Sequence, residues 1–379
     1  MKAWQARLSG LLPALWPVVF RLRGLFWGPP MAKNIVICCD GTACEFGDRN
    51  SNVVKLYALL TKSPAQSTYY HPGLGTMGSR LALTKFTRWW TRLLGLAFGY
   101  GLMSNISDAY GFLMDEYDEG DFVFLFGFSR GAYTVRALAA LLHMFGLIRR
   151  GNLALVPYIL KTFRAKIRNR HVFEIADGFK QTYSSECRPH FLGAWDTVSS
   201  VGWIYDPLHL PYTVRNPDVK ICRHAISIDE RRCAFRQNLW EAQNGQDSKQ
   251  VWFAGTHSDM DGGYPSGETG LSDLALSWML REARTAGLRL DDSSALFTMA
   301  PDPCGPLHDS MTLAWMPLEV VPRRYVDVGF TPPRVSWCLP WAHRRTIAED
   351  SVLHRSVEAR KKALGYAPPN LPRSYRTET

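Results

Sequence analysis

Short apolar runs alternate along the chain with segments whose apolar residues recur at helical spacing. The runs are rich in β-branched and aromatic residues, and runs of this length are typical of parallel strands covered on both faces. We expect strands in NIVICC, STYYH, FVFLFGF, HFLGAW, AISID and QVWFAG, and helices over 51–62, 104–117, 130–148 and 271–288. This alternation predicts an α/β fold with a mostly parallel sheet, helices on both faces and inserted loops.

The domain organisation follows from length and composition. A chain of 379 residues fits one large α/β domain. The sequence contains no internal repeat, and its composition shows no break that would indicate a second compact domain. We predict a single domain over 31–373, a basic apolar extension over 1–30 before it, and an extended tail over 374–379 after it.

Two segments, 1–30 and 80–103, combine apolar residues with lysine and arginine and contain no acidic residue. The first is too short to span a bilayer, and no signal-peptide cleavage site follows it. It either lies on an anionic membrane surface or is an upstream extension without a structural role. The second faces a membrane, forms a lid or is buried below the active site. Peripheral contact with an anionic membrane is predicted through these two segments.

The charge balance is basic, with a formal net charge of +10. The basic residues are spread along the chain and no recognisable nucleic-acid module accompanies them, so we expect no nucleic-acid partner. The eight cysteines form no CxxC pair and show no regular spacing. That pattern disfavours a structural zinc site and a disulfide framework. We expect reduced, mostly buried thiols and a cytoplasmic protein with at most peripheral membrane contact.

The stretch FLFGFSRGAY carries the first candidate chemistry, at Ser129. A nucleophilic serine on a tight turn between a strand and a helix needs glycines two residues away on either side, where Gly127 and Gly131 stand. The helix that follows would direct its amides and its dipole at the reaction centre. The alternative is a serine that caps the helix. The strand before and the helix after favour a nucleophile.

A serine nucleophile needs a base, and the base needs a carboxylate to orient it. Asp196 follows the apolar run FLGAW, and His257 follows VWFAGT. Both stand at the ends of predicted strands, as Ser129 does, in the order serine, acid, histidine. We therefore predict these three residues as catalytic. His71 and His354 are the alternative bases.

An oxyanion hole needs two backbone N–H groups beside the attacked carbonyl. We predict one from Arg130, directly after the nucleophile, and the second from Gly41 or Thr42, after the first strand. Asp40 would fix this loop through hydrogen bonds to amides, or it belongs to a plain Asp-Gly turn.

Asp259, two residues past His257, would orient the histidine or hold its loop. Convergence of Asp40, Asp196, His257 and Asp259 on a metal ion is an alternative, although no HxH or HExxH pattern supports it. The charge cluster over 229–232 is interpreted as a structural ion-pair network.

Several stretches together resemble a known family. The segments CDGT, GFSRGAY, WDTV and WFAGTHSD, followed by GGY, occur in this order and are similar to the catalytic domain of the type VI secretion phospholipase effectors. The resemblance runs from about residue 33 to residue 373. It implies an α/β-hydrolase-like fold and hydrolysis of glycerophospholipid esters. It also implies the roles of nucleophile, acid and base for Ser129, Asp196 and His257.

Two sites depart from the family pattern. Ala43 and Cys44 stand where the family usually carries Trp-Asn, and Asp261 replaces the first of three glycines. The first change touches the predicted oxyanion loop. The second puts an acid near His257, which would raise the pKa of the histidine or narrow the pocket.

The sequence thus predicts a serine hydrolase that cleaves carboxylic esters through an acyl-Ser129 intermediate and needs no cofactor. A lipid ester is the favoured substrate. An esterase or thioesterase acting on a soluble substrate is the alternative enzyme. A catalytically silent, hydrolase-like binding module is the alternative of another class, and the intact serine, acid and histidine argue against it.

Overall fold

The computed structural model describes residues 32–41, 47, 49–73, 98–165, 171–198, 202–203, 206–207, 210–265, 267–291, 298–313, 315–327 and 334–378. The extension over 1–30 lies outside these residues. Thr42, Ala43, Cys44 and residues 80–97 of the segment 80–103 lie outside them as well. What the sequence predicts for them stays a prediction.

An eight-stranded parallel sheet organises the described chain. The strands are β1 Asn34–Cys39, β2 Gln66–His71, β3 Phe122–Phe128, β4 Leu147–Ile148, β5 Ser184–Ser185, β6 Pro189–Trp195, β7 Gly202–Trp203, β8 Asp206–Pro207, β9 Ile221–Ser227, β10 Asp247–Phe253, β11 Arg323–Asp327, β12 Arg334–Cys338, β13 Ser351–His354 and β14 Tyr375–Glu378. The order across the sheet is β14-β13-β10-β9-β6-β3-β1-β2, and every neighbouring pair is parallel. The other strands pair in antiparallel ribbons, β4 with β5, β7 with β8 and β11 with β12.

Helices connect the strands, and local chemistry sets their ends. They are α1 Asn52–Leu59, α2 Phe98–Glu116, α3 Arg130–Phe145, α4 Val156–Arg164, α5 His171–Tyr183, α6 Gly270–Thr285, α7 Met316–Glu319 and α8 Arg355–Leu364. Helix α1 begins after Ser51, whose side chain accepts the N–H of Val54 at 3.1 Å. Helix α8 ends at Gly365, whose φ of 66° suits the left-handed conformation of a helix terminus.

Helices cover both faces of the sheet, as the alternation along β1 shows. Ile35 and Ile37 join an apolar cluster with residues of α2 and α3. Val36 and Cys38 join a second cluster with residues of α1 and α6. Successive side chains of a strand point to opposite faces, so one continuous apolar run supplies both clusters. The predicted α/β fold with a mostly parallel sheet is confirmed.

Some boundaries differ from the prediction because polar residues are satisfied inside the fold. Strand β9 begins at Ile221 rather than at residue 225. Its Arg223 pairs with Asp247 at 2.9 Å and with Glu282 at 2.5 Å, so it is tolerated in a buried strand. At the chain end, β14 lies inside the predicted tail and forms one edge of the sheet.

Two further expectations concern membranes and thiols. Among the described helices, none combines the length and the apolar character that crossing a bilayer requires. The cysteines at 38, 39, 187, 222 and 233 are free and buried, whereas Cys304 is free and exposed. For these residues the predicted reduced, mostly buried thiols are confirmed.

Candidate active site

Ser129 lies on the turn between β3 and α3, and its backbone is strained. Its φ of 55° and ψ of −116° fall outside the regions that ordinary side chains favour. The Ser129 N–H donates to the Trp195 carbonyl at 2.9 Å, and the Tyr133 N–H donates to the Ser129 carbonyl at 3.2 Å. The Ser129 side chain makes no capping bond to α3. The alternative of a helix-capping serine is therefore wrong.

Gly127 and Gly131 permit this turn because neither position has room for a side chain. A Cβ atom on Gly127 would lie 2.5 Å from the carbonyl carbon of Gly131. One on Gly131 would lie 2.1 Å from the carbonyl oxygen of Cys39. Strands β1 and β3 and the first turn of α3 therefore pack backbone to backbone, which holds Ser129 at the carboxyl edge of the sheet.

The side chains of Ser129, His257 and Asp196 form one hydrogen-bonded chain. Ser129 Oγ lies 2.8 Å from His257 Nε2, and His257 Nδ1 lies 2.5 Å from Asp196 Oδ2. Asp196 follows β6 with a φ of 42°, and His257 follows β10 through Gly255, whose φ is 120°. All three side chains are buried. The structure thus brings together the residues that the sequence places at three separate strand ends.

Asp196 accepts several hydrogen bonds besides the one from His257. Ser227, at the end of β9, donates through its N–H at 3.0 Å and its hydroxyl at 3.1 Å. Arg345 donates from Nη1 to Oδ1 at 2.5 Å and from Nη2 to Oδ2 at 2.9 Å. Its guanidinium also donates to the carbonyls of Ser227 and Phe235. This two-pronged contact fixes the plane of the carboxylate.

Burial and charge oppose each other at this site. Burial alone would raise the pKa of Asp196, but the Arg345 guanidinium and the bond from His257 outweigh it and hold the pKa well below its usual range. Burial lowers the pKa of His257, and the bond from Asp196 and the charges of Asp196 and Glu230 offset this only in part. Asp261 is predicted to raise the pKa of His257 or to narrow the pocket, and the net shift of that pKa is downward. The imidazole is therefore neutral near pH 7, with Nε2 able to accept a proton from the serine.

Two aromatic rings and a carboxylate hold His257 from other directions. The rings of Phe128 and Phe235 each lie 4.7 Å from the imidazole, centroid to centroid. Glu230 accepts the backbone N–H of His257 at 3.1 Å and pairs with Arg232 at 2.9 Å. Burial would raise the pKa of Glu230, but Arg232 lowers it to about 2. The predicted ion-pair network is present, and it also positions the histidine.

Asp40 fixes the loop after β1. Its Oδ1 accepts the Gly41 N–H at 2.7 Å, and its Oδ2 accepts the hydroxyls of Ser51 at 2.5 Å and Tyr70 at 2.9 Å. The Gly41 N–H, predicted as an oxyanion donor, is therefore already engaged by a carboxylate.

The structure describes one of the two other predicted oxyanion donors. Arg130 is the first residue of α3 and directly follows the serine. Thr42 lies outside the described residues. The roles of both stay predictions.

Asp259 holds the loop that carries His257 through bonds to Thr256 and His308. Its Oδ2 accepts the Thr256 N–H at 2.8 Å, and its Oδ1 lies 2.7 Å from His308 Nδ1. The His308 ring stacks on Tyr264 with centroids 3.6 Å apart. These contacts fasten the turn that carries His257 to a later part of the chain.

The two alternative bases, His71 and His354, make hydrogen bonds to groups other than Ser129. His71 Nδ1 lies 2.7 Å from the Pro72 carbonyl. His354 Nδ1 lies 2.8 Å from the Ser356 hydroxyl, and this side chain caps α8. Within the described ranges, no three or more His, Cys, Asp or Glu side chains are grouped so as to hold a metal ion.

Sequence reasoning missed Arg345 and the role of Glu230. Arg345 stands in the pair Arg344-Arg345, which looks like part of a dispersed basic surface. Its partner Asp196 lies 149 positions away in the chain, so no local spacing indicates the contact. Only the approach of the chain segment before β13 to the end of β6 creates it.

A parallel sheet that presents a serine on a strained turn, bonded to a histidine and a carboxylate from later strand ends, is the arrangement of α/β-hydrolase-like proteins. The family model for the type VI secretion system phospholipase effector Tle1-like catalytic domain matches residues 33–282, more than half of the chain. The chain therefore belongs to this family. Arg345 lies beyond the matched residues.

Three relatives show the range of similarity. The uncharacterized protein YEL023C of Saccharomyces cerevisiae is 36% identical over 224 residues, which cover 54% of this chain and 32% of the yeast protein. An uncharacterized protein from Pseudomonas aeruginosa, known from a crystal structure, is 21% identical with a TM-score of 0.41 over 76% of this chain and 50% of that chain. The Tle1 effector bound to the VgrG spike of the type 6 secretion system is 20% identical with a TM-score of 0.33 over 62% and 51%. The chain thus spans between about a third and about half of the length of these relatives.

Proposed function

We propose that the protein hydrolyses carboxylic esters of phospholipids through an acyl-Ser129 intermediate. The hydrogen-bonded chain from Ser129 Oγ through His257 to Asp196, with distances of 2.8 and 2.5 Å, carries the ester-hydrolase part of the proposal. The lipid part is supported by membership of a phospholipase effector family.

The first half of the reaction forms the acyl enzyme. Ser129 Oγ attacks the ester carbonyl carbon while His257 Nε2 takes the hydroxyl proton. The tetrahedral intermediate then collapses, the bond to the alcohol breaks, and the leaving alcohol takes the proton from Nε2. The strained backbone of Ser129 keeps Oγ at the end of β3 for this attack.

The second half regenerates the serine. Water attacks the acyl carbon and gives its proton to His257 Nε2, and the same proton returns to Ser129 Oγ as the carboxylic acid leaves. Asp196 keeps the Nδ1 proton in place throughout, and Arg345 keeps Asp196 in place. Arg345 is thus proposed as a positioning residue.

Charge on the carbonyl oxygen would be stabilised by the N–H of Arg130, at the start of α3. The second donor is proposed on the loop after β1, at Gly41 or Thr42. For Gly41, use as a donor requires its bond to Asp40 to break or to be shared.

Labelling with a fluorophosphonate tests the serine chemistry. We expect the full chain to be labelled at Ser129, the Ser129→Ala variant not to be labelled, and the His257→Ala variant to be labelled about 10² to 10⁴-fold more slowly. His71→Ala and His354→Ala are the controls and keep the parent rate. A folded parent that is not labelled would refute the proposal in favour of a binding module. A His257→Ala variant that reacts at the parent rate would refute the assigned base.

The substrate class is tested with one acyl chain in three forms. A diacyl phospholipid in vesicles, an ester of the same acyl group with a small alcohol and the corresponding thioester are compared by kcat/KM. A preference for the phospholipid supports the proposal. A preference for the soluble ester or thioester supports the alternative enzyme.

A further inference from the structure

Exposed large apolar side chains are concentrated in one part of the described chain. Leu313 is 89% exposed, Trp337 64% and Trp341 57%. Single exposed apolar residues are ordinary, but a concentration of them marks an interaction surface. We call this set the apolar patch, and its members are Leu313, Met316, Val320, Trp337, Leu339 and Trp341.

Hydrogen bonds join the two segments that carry most of the patch. The Trp341 N–H donates to the Glu319 carbonyl at 3.1 Å, and the Ala342 N–H donates to Glu319 Oε2 at 3.1 Å. Glu319 is fully buried at the end of α7 and also accepts the Cys233 N–H at 2.8 Å. Helix α7 and the segment around residue 341 are therefore fastened side by side on a common support.

The patch lies beside the proposed catalytic groups. Trp315 stands in the chain between the patch members Leu313 and Met316. Its ring lies 5.4 Å from that of Phe235, and the Phe235 ring lies 4.7 Å from His257. Arg345, shortly after the patch member Trp341 in the chain, binds Asp196. A surface that sits on the patch is therefore close to the serine site.

The sequence of the ribbon that carries Trp337 indicates the partner of the patch. The ribbon of β11 and β12, which carries Trp337, contains three arginines, at 323, 324 and 334, and one acid, Asp327. In the strand register Arg324 stands opposite Trp337. Tryptophan prefers the boundary between headgroups and acyl chains, and arginine favours anionic headgroups.

We propose that the apolar patch docks the protein on an anionic phospholipid surface, with Trp337 and Trp341 at the level of the headgroups. This inference rests on the proposed function, because a phospholipase must act where its substrate is assembled into a bilayer. A second copy of the chain is the competing occupant. It fits less well, since it would bring two arginine-rich ribbons together.

Vesicle flotation of the full chain tests the proposal, in a Ser129→Ala background that leaves the lipid intact. The vesicles are phosphatidylcholine alone or in equal parts with phosphatidylglycerol. We expect the pair Trp337→Ser and Trp341→Ser to weaken binding to the anionic vesicles about tenfold or more. The pair Leu153→Ser and Tyr158→Ser, at positions 59% and 50% exposed in the parent, is the matched control and binds as the parent does.

Two results would overturn the proposal. One is a patch variant that binds anionic vesicles as tightly as the parent. The other is a parent that is dimeric by light scattering and a patch variant that is monomeric, because the surface then serves self-association. Fluorophosphonate labelling of the same variants with Ser129 intact separates the two proposals. Absence of labelling in every protein would refute the hydrolase, whereas flotation of the Ser129→Ala proteins would still decide whether the patch docks.

Discussion

At the scale of single residues, Arg345 determines how much charge His257 experiences from its carboxylate. In a serine–histidine–aspartate arrangement, the carboxylate stabilises the imidazolium that forms when the serine loses its proton. Here a guanidinium bonds to both oxygens of Asp196, at 2.5 and 2.9 Å, and offsets that charge. Burial also lowers the pKa of His257. We expect both effects to favour the neutral imidazole at pH values below the ordinary histidine value of about 6.5.

Replacement of Arg345 by methionine should therefore change the pH profile. If His257 is the base, we expect the kcat/KM of the parent to fall only below the ordinary histidine range, since the imidazole must be neutral to take a proton. In Arg345→Met the charge of Asp196 is no longer offset, so the imidazolium becomes more stable and the pKa of His257 rises. The acid limb of the profile, where kcat/KM falls as the pH is lowered, therefore moves to higher pH. We expect kcat/KM at neutral pH to fall by about 10- to 100-fold as the carboxylate loses its alignment.

Arg345→Lys and Arg344→Met separate positioning from folding. Lysine keeps the positive charge but cannot bond to both carboxylate oxygens of Asp196 as the guanidinium does. We therefore expect the acid limb of the Arg345→Lys variant to stay near that of the parent, while its kcat/KM is reduced. Arg344 is half-buried and pairs with Asp229 at 2.9 Å, so its loss leaves the limb unchanged. If the acid limb of Arg345→Met stays in place and only the amount of folded protein is lower, Arg345 has a structural role alone.

At the scale of elements, the junction of β1, β3 and α3 depends on the absence of a side chain. In Gly131→Ala the new Cβ atom meets the Cys39 carbonyl oxygen at 2.1 Å, and the clash involves backbone that cannot rotate away. We expect the free energy of unfolding to fall by about 3 kcal/mol or more, and the labelling of Ser129 to fall with it. Urea denaturation followed by circular dichroism measures the first quantity.

Gly178 provides the matched control for this prediction. It lies within α5, and a Cβ atom there would meet nothing within 4 Å. Gly178→Ala should therefore leave stability unchanged or raise it by about 0.5 to 1 kcal/mol, as expected for a helix interior. Equal losses in both variants would contradict the idea that close backbone packing shapes the turn.

The helices and strands can be predicted from the sequence pattern, and so can the three strand ends that carry Ser129, Asp196 and His257. Apolar runs give β1, β3 and β6 because these strands are covered on both faces, and the glycines around Ser129 indicate the turn. The polar start of β9 could not be predicted, because Arg223 is tolerated only through its partners Asp247 and Glu282 on other elements. The bond between Arg345 and Asp196 was equally hidden, since it depends on tertiary approach.

At the scale of the whole molecule, the chain end belongs to the sheet. Strand β14 pairs in parallel with β13, from Ser351 opposite Tyr375 to His354 opposite Glu378. Glu378 also pairs with Lys249 of β10 at 3.0 Å, and Tyr375 packs against the apolar cluster at this edge. The pattern of residues 374–379 is polar because β14 is an edge strand and its side chains are partly exposed.

Deletion of residues 374–379 should therefore destabilise the domain without disabling the serine site. The loss of the β13 to β14 hydrogen bonds and of the packed Tyr375 ring should lower the free energy of unfolding by about 2 to 4 kcal/mol. Labelling of Ser129 in native buffer should persist, because four strands separate β14 from β3 in the sheet. Thr377→Ala, an exposed change on the same strand, is the control for urea denaturation and should keep the parent midpoint. An unchanged midpoint after deletion would mean that the folding unit ends at residue 373, as the sequence pattern alone predicts.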